Sequence, residues 1–234
     1  MTDQTQPAEH SDQSVKRATR KPFHSGAKRW VQFGFLILCM PRIACYRIAY
    51  VLLGSRAMTS ASESIAMIPG LRGVYMRQAF YRKTLDACGR DVYLGWNTVF
   101  SMREARVGEN AYIGRFCLIG FADIGCQVMI ADGVQILSGG HEHDSADSTV
   151  SMHDQDQRYE KMHIGNGAWI GAGAIIMADV GNNAIVGAGA VVTRPVPNGA
   201  VAAGVPARVL HYRKGWSAPG QQDFASSTTS SETE

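Results

Sequence analysis

From Val107 onward, aliphatic residues return at steps of six: Val107, Ile113 and Ile119, then Ile124, Ile130 and Ile136, then Ile164, Ile170 and Ile176, then Val180, Val186 and Val192. Eight of these twelve anchors are followed by glycine, at Gly108, Gly114, Gly120, Gly125, Gly165, Gly171, Gly181 and Gly187. Four residues after most anchors stands a small or β-branched residue: Ala111, Cys117, Val128, Val134, Ala168, Ala174, Ala184 or Ala190. A step of six matches neither the period of an amphipathic helix nor the alternation of a hairpin series, so it is an internal repeat. Three repeats make one triangular coil, whose short strands pair in parallel with those of the coils above and below. The anchor points inward, the glycine after it is expected to permit the corner, and the fourth residue must be small where the chain turns in again. The step shortens to five between Ile119 and Ile124 and to four between Ile176 and Val180, which predicts altered corners there. Leu94 and Phe100 start the repeat one coil earlier, with the string MREA at 102–105 obscuring the register.

The N-terminal part follows other rules. Residues 30–53 are the most apolar window and have the length of a bilayer span. They also hold Gln32, Pro41, Arg42 and Arg47. An arginine near the centre of a spanning helix costs about 2.5 to 3.5 kcal/mol, and a proline removes a backbone donor. Two shorter helices meeting near Pro41 are therefore expected, either packed on the protein or lying in a membrane interface behind a basic arm. A further helix is expected over 71–85, where Leu71, Val74, Tyr75, Ala79, Phe80 and Leu85 approximate the helical period after Pro69 and Gly70. The expected organisation is a polar basic arm at 1–29, a helical region at 30–90, a coil stack at 91–213 and a Ser- and Thr-rich tail at 214–234.

Composition narrows the function classes. The chain has 234 residues, 45% hydrophobic and 18% charged, with a formal net charge of +3, which excludes a wholly disordered chain and gives little support to nucleic-acid binding. Cys39, Cys45, Cys88, Cys117 and Cys126 form no CxxC pair and no short-spaced framework, so a reducing, cytoplasmic setting is expected, at most with peripheral contact on the cytoplasmic face of a membrane.

The candidate chemistry lies where the repeat stops. Five residues after Ile136 stands His141, and the repeat resumes only at Ile164. A long polar loop over 139–163, thrown out of a regular solenoid, is more often functional than accidental. A histidine there supplies a group that titrates near neutrality and can take a proton from a hydroxyl. His143 competes with His141 for that role, and Glu142 or Asp144 can orient either ring.

The repeat, with the strings IGNGAWIGAGAII at 164–176, VGNNAIVGAGAVVTRPVPNGAVAAGVPARVL at 180–210 and ILSGGHEHD at 136–144, resembles the hexapeptide-repeat acyltransferases. Within them it is similar to the O-acetyltransferases of sugars, glycosides and surface polysaccharides. The resemblance implies a mainly β fold, a left-handed parallel β-helix, and transfer of an acetyl group from acetyl-CoA to a sugar or lipid-linked saccharide hydroxyl. His141 would be the general base. Along the donor groove it implies Trp169, Gly171, Ala172, Ala188 and Gly189, with Thr193, Arg194 and Arg208 at the phosphates. Arg194 stands where lysine is common, which keeps the charge and changes the donor geometry. Asn97, Tyr112 and Asp123 are acceptor-side candidates. A homotrimer is implied, with active sites between subunits and the excursion reaching a neighbour.

Two other classes compete. A non-catalytic trimeric β-helix scaffold would not need His141 together with Trp169, Thr193, Arg194 and Arg208. A metal-dependent hydratase of the same fold would use zinc, and His141, His143, His153 and His163 invite that reading. Their spacing offers no second fixed pair beyond the HxH at 141–143, so no metal is expected.

Overall fold

The computed structural model describes residues 25–138, 151 and 159–218. The repeat forms a parallel β-solenoid of five coils and part of a sixth. Coil 1 is β1 (Ala87–Cys88), β2 (Tyr93–Leu94) and β3 (Val99–Phe100), and coil 2 is β4 (Arg106–Val107), β5 (Tyr112–Ile113) and β6 (Leu118–Ile119). Coil 3 is β7 (Ala122–Ile124), β8 (Met129–Ile130) and β9 (Gln135–Ile136), and coil 4 is β10 (Met162–Ile164), β11 (Trp169–Ile170) and β12 (Ile175–Ile176). Coil 5 enters through Val180 and continues as β13 (Ile185–Val186) and β14 (Val191–Val192); a final hairpin, β15 (Ala200–Gly204) and β16 (Ala207–Tyr212), follows Val196.

Three faces result. The first is β1-β4-β7-β10, extended through bridges at Val180 and Val196. The second is β2-β5-β8-β11-β13-β15-β16, and the third is β3-β6-β9-β12-β14. Every pairing is parallel except β15 with β16. The predicted anchors stack in register inside, with Leu94, Ile113, Ile130, Ile170 and Val186 under the second face and Phe100, Ile119, Ile136, Ile176 and Val192 under the third, all buried.

The shortened steps fall into place as well. Ile119 to Ile124 and Ile176 to Val180 both cross from the third face to the first, and Ile124 still pairs with Val107 and Ile164 with Val180. The irregular string at 102–105 makes the same crossing in coil 1, with Ala105 buried. The 3–1 edge therefore takes all the variation in step length, while the 1–2 and 2–3 edges stay regular.

The glycines after the anchors have a different reason from the expected one. Most lie at ordinary negative φ; a Cβ on Gly165 would stand 2.4 Å from the Asn182 nitrogen, and one on Gly171 2.4 Å from the Ala188 nitrogen. Close approach of the next coil's backbone excludes the side chain. Left-handed backbone falls two residues later, at Gly167 and Gly173 but also at Asp91, Asn97, Asn110, Phe116, Gln127 and Asn183, with φ from 53° to 59° at these six. Corner hydrogen bonds outweigh the modest cost of αL backbone at these non-glycine positions.

Three helices close the open end of coil 1: α1 (Ser25–Leu53), α2 (Arg56–Ala66) and α3 (Gly70–Thr84). The helix expected over 71–85 is α3, starting after Pro69. The two helices expected around Pro41 are one continuous helix. Phe35, Cys39, Ile43 and Tyr46 pack inward on both sides of Pro41, and that tertiary packing outweighs the missing donor.

The cap is locked to coil 1 by polar groups. Arg77 of α3 is fully buried; its Nε donates to the Leu94 carbonyl at 3.0 Å and its Nη1 to the Ile68 and Ala66 carbonyls at 2.7 and 3.3 Å. Burial pushes its pKa down from the ordinary arginine value, and its Nη2 has no partner among the described residues. Ser62 of α2 meets the Tyr81 hydroxyl at 2.6 Å and accepts the Phe100 N–H at 2.8 Å. At the far end, Trp216 lies on Gly199, where an added Cβ would meet its ring at 2.1 Å. Replacing Arg77 by Met leaves three buried carbonyls without this donor, so a loss of about 3 kcal/mol is expected. Thermal unfolding should show it as a fall of roughly 6 to 12 °C in Tm.

Candidate active site at the 3–1 edge

The excursion leaves the solenoid after β9 and returns at β10, which puts its root on the 3–1 edge between coils 3 and 4. The root is closed by backbone bonds. Leu137 N–H donates to Ile176 at 3.0 Å, and Glu160 N–H crosses the neck to the Ser138 carbonyl at 2.7 Å. The buried Ser138 hydroxyl accepts the Phe121 N–H at 3.1 Å, and the Lys161 ammonium stands 4.7 Å over the Phe121 ring. His141, Glu142, His143, Asp144 and His153 lie outside the described residues.

The donor-side candidates divide between two edges. Trp169 is half-exposed on the second face, between Met129 and Ile185 in the ladder. Gly171, Ala172, Ala188 and Gly189 follow at the 2–3 edge in coils 4 and 5, where the Gly189 N–H donates to the Ala172 carbonyl at 2.8 Å. Ala172, Gly173, Ala188 and Gly189 are exposed, and a Cβ on Gly173 or Gly189 would meet nothing, so the edge is a smooth track. Arg208, paired with Ala203 in the final hairpin, lies exposed by the C-terminal end of that track. Thr193 and Arg194 follow β14 on the 3–1 edge, the same edge as the excursion root, and are exposed. Neither Arg194 nor Arg208 makes an ion pair among the described residues; Arg208 Nη1 donates to the Ala207 carbonyl at 3.0 Å, which leaves its other guanidinium donors open to an anion. A single chain therefore does not gather the predicted donor residues into one cleft; it holds them on two edges separated by the third face.

The acceptor-side candidates are dispersed. Asn97 occupies a left-handed corner of coil 1, and its N–H donates to Ala66 of α2 at 3.1 Å. Tyr112 is stacked on Tyr93 with ring centroids 4.6 Å apart on the second face. Asp123 lies outward on the first face, in register with Arg106 on one side and His163 on the other. His163 in turn donates its backbone N–H to Asp179 Oδ1 at 2.8 Å. Among the described residues no group of three His, Cys, Asp or Glu side chains is placed to hold a metal ion.

Sequence reasoning missed an asparagine ladder beside this row. Asn166 Oδ1 accepts the Cys126 N–H at 2.7 Å, Asn182 Oδ1 that of Asn166 at 2.8 Å, and Asn198 Oδ1 that of Asn182 at 2.7 Å. The signal was present: Asn stands two residues after the anchors Ile164, Val180 and Val196. These residues line an open groove of about 550 Å³ with Asp123, His163 and Asp179. Much of its polar lining is therefore committed to holding one coil to the next.

The stacked coils and inward anchors at six-residue steps define a hexapeptide-repeat solenoid. Residues 161–194, which form coil 4 and most of coil 5, match the family described as bacterial transferase hexapeptide (six repeats). The structure is similar to a maltose O-acetyltransferase from Clostridium difficile 630, with 26% identity, a TM-score of 0.62, and 69% of this chain and 88% of that chain covered. It is also similar to a galactoside acetyltransferase in complex with coenzyme A, with 25% identity, a TM-score of 0.59, and coverage of 68% and 80%. A hexapeptide-repeat acetyltransferase from Vibrio cholerae, complexed with acetyl coenzyme A, shares the fold at 19% identity, with a TM-score of 0.58 and coverage of 68% and 86%. No curated protein sequence matches this chain.

Replacing Asn182 by Ala leaves the Asn166 N–H without its acceptor. A loss of about 1 to 2 kcal/mol is expected, read as a fall in urea midpoint with an unchanged slope.

Proposed function

We propose that this protein is an acyl-CoA-dependent O-acetyltransferase that moves an acetyl group to a hydroxyl of a sugar or lipid-linked saccharide used in surface polysaccharide assembly. The observation that carries it is the likeness, over two thirds of the chain, to two acetyltransferases whose names specify maltose and galactoside, one of them holding coenzyme A. The placement of Thr193 and Arg194 on the edge from which the His141 excursion departs supports it.

The chemistry needs few groups. His141 takes the acceptor proton as its oxygen attacks the thioester carbonyl; the tetrahedral intermediate collapses, the thiolate leaves, and the proton passes to the departing sulfur. The track at Ala172, Gly173, Ala188 and Gly189 lets an extended pantetheine lie close to the backbone. Trp169 offers an apolar wall to it, and Arg194 and Arg208 meet the phosphates.

The division of these residues between two edges favours a homotrimer. The 2–3 edge of one copy beside the 3–1 edge of the next brings Trp169, Ala172 and Arg208 against the excursion root, Thr193 and Arg194. Light scattering behind size exclusion should give three times the 25.4 kDa chain mass; a monomer would leave the two half-sites apart and remove this arrangement.

Calorimetric titration with acetyl-CoA, followed by thiol release against a panel of sugars, tests the reaction. Wild-type and His141→Ala proteins should both bind the donor, and the variant should turn over about 10² to 10⁴ times more slowly. Failure of the folded protein to bind acetyl-CoA would sink the reading. The protein's own thiols set the background of that assay. Cys45 and Cys126 are exposed and should react at once with a disulfide reagent. Burial pushes the Cys39 thiol up to about 11, the Cys88 thiol up to about 12, and the Cys117 thiol upward; the buried Cys39 and Cys117 should react only on unfolding, and the half-buried Cys88 slowly in the folded protein.

A further inference from the structure

The outer side of α1 is an apolar surface that none of the described residues covers. The helix packs on α3 through its middle turns: Phe35 stacks on Tyr75 at 5.2 Å, Cys39 Sγ reaches the Met76 carbonyl at 3.8 Å, and Tyr46 meets Phe80 at 5.7 Å. With these residues inward, a period of 3.6 puts Trp30, Phe33, Ile37, Ile48, Val51 and Leu52 on the opposite half. They are exposed, from 54% at Phe33 to 84% at Val51. The four cations of α1, Lys28, Arg29, Arg42 and Arg47, all fall on its packed side and flanks, and the helix contains no Asp or Glu.

Residues 28–53 are long and apolar enough to cross a membrane. Crossing is incompatible with the packing, because it would pull α3 and coil 1 into hydrocarbon along with the helix. A helix held to a folded body on one side, apolar on the other and flanked by cations is built to lie in the plane of the interface.

A basin of about 710 Å³ beside the first turns of α1 sharpens the choice of partner. It lies between α1, α3 and the corners of coils 1 and 2, and Phe33 belongs both to its wall and to the outer surface. Five cations and two acids line it. Lys28 pairs with Asp91 and Arg90 with Glu109, whereas Arg29, Arg82 and Lys83 make no ion pair among the described residues. The basin therefore carries unmatched positive charge next to an apolar surface, the complement of an anionic headgroup above its acyl chains. A second copy of α1 offers that charge no complement, since the helix carries four cations and no acid.

We propose that α1 seats this protein in the interface of an anionic bilayer, with its outer side in the acyl boundary and the adjoining basin on the headgroups. The proposal stands independently of the acetyltransferase reading. Co-flotation of the full chain with phosphatidylglycerol–phosphatidylcholine vesicles, against pure phosphatidylcholine vesicles, tests it. Partition should be about tenfold stronger to the anionic vesicles and should weaken in high salt. Ile37→Glu with Ile48→Glu should abolish flotation, and Arg82→Glu with Lys83→Glu should remove the preference for anionic lipid. All four side chains are exposed, so Tm and acetyl-CoA binding should not change. No flotation, or equal flotation with both vesicles, would overturn the proposal. So would a solution mass that drops when Ile37 and Ile48 become Glu, which would assign the surface to a second copy. Loss of acetyl-CoA binding alone would bear on the catalytic reading and not on this one.

Discussion

Each coil must lie on the one before it with its backbone in ladder register, and almost everything else in this structure follows from that. The register leaves no room for a Cβ at Gly165 or Gly171 and demands left-handed backbone two residues later. It leaves corner amides that Asn166, Asn182 and Asn198 satisfy by reaching across one coil spacing. Two of the three edges are thereby fixed in length and conformation, and only the 3–1 edge can vary. Steps of four, five and seven residues all occur there, and so does the excursion. A long insertion costs the stack little at that place, because loop closure grows slowly with length and the ladder resumes unchanged in β10.

Much of this was legible in the sequence because a six-residue period over twelve anchors has no competing explanation. The anchors, the small fourth residues and the earlier coil at Leu94 and Phe100 all follow from periodicity and are all buried. The reason for the glycines was not legible, since the closeness of Asn182 to Gly165 is a relation between coils rather than between neighbours. Pro41 misled because a proline's local cost is read from sequence, whereas the inward stripe from Phe35 to Tyr50 that outweighs it becomes decisive only once α3 lies beneath it. Arg77 was also invisible: nothing local distinguishes a cation that reaches three carbonyls from a solvated one.

For the candidate site the sequence offered residue types and not their arrangement. The excursion root, Thr193 and Arg194 share an edge because the chain returns to that edge once per coil, which arithmetic on the period could have shown. Trp169, Ala172 and Arg208 fall one face away for the same reason. Asp123 proved to have a defined neighbourhood, with Arg106 and His163 in register beside it, whereas the corner conformation and contact with α2 give Asn97 a structural reason.

The helical cap closes only one end of the stack, and the final hairpin with Trp216 covers the other. This polarity matters for any assembly that closes by rotation about an axis parallel to the stack. Rotation of that kind never turns a subunit over, so every α1 emerges at the same end, in a common plane. Contacts too weak to hold one chain at a surface then act together as avidity, and the ring dwells where a single copy would leave.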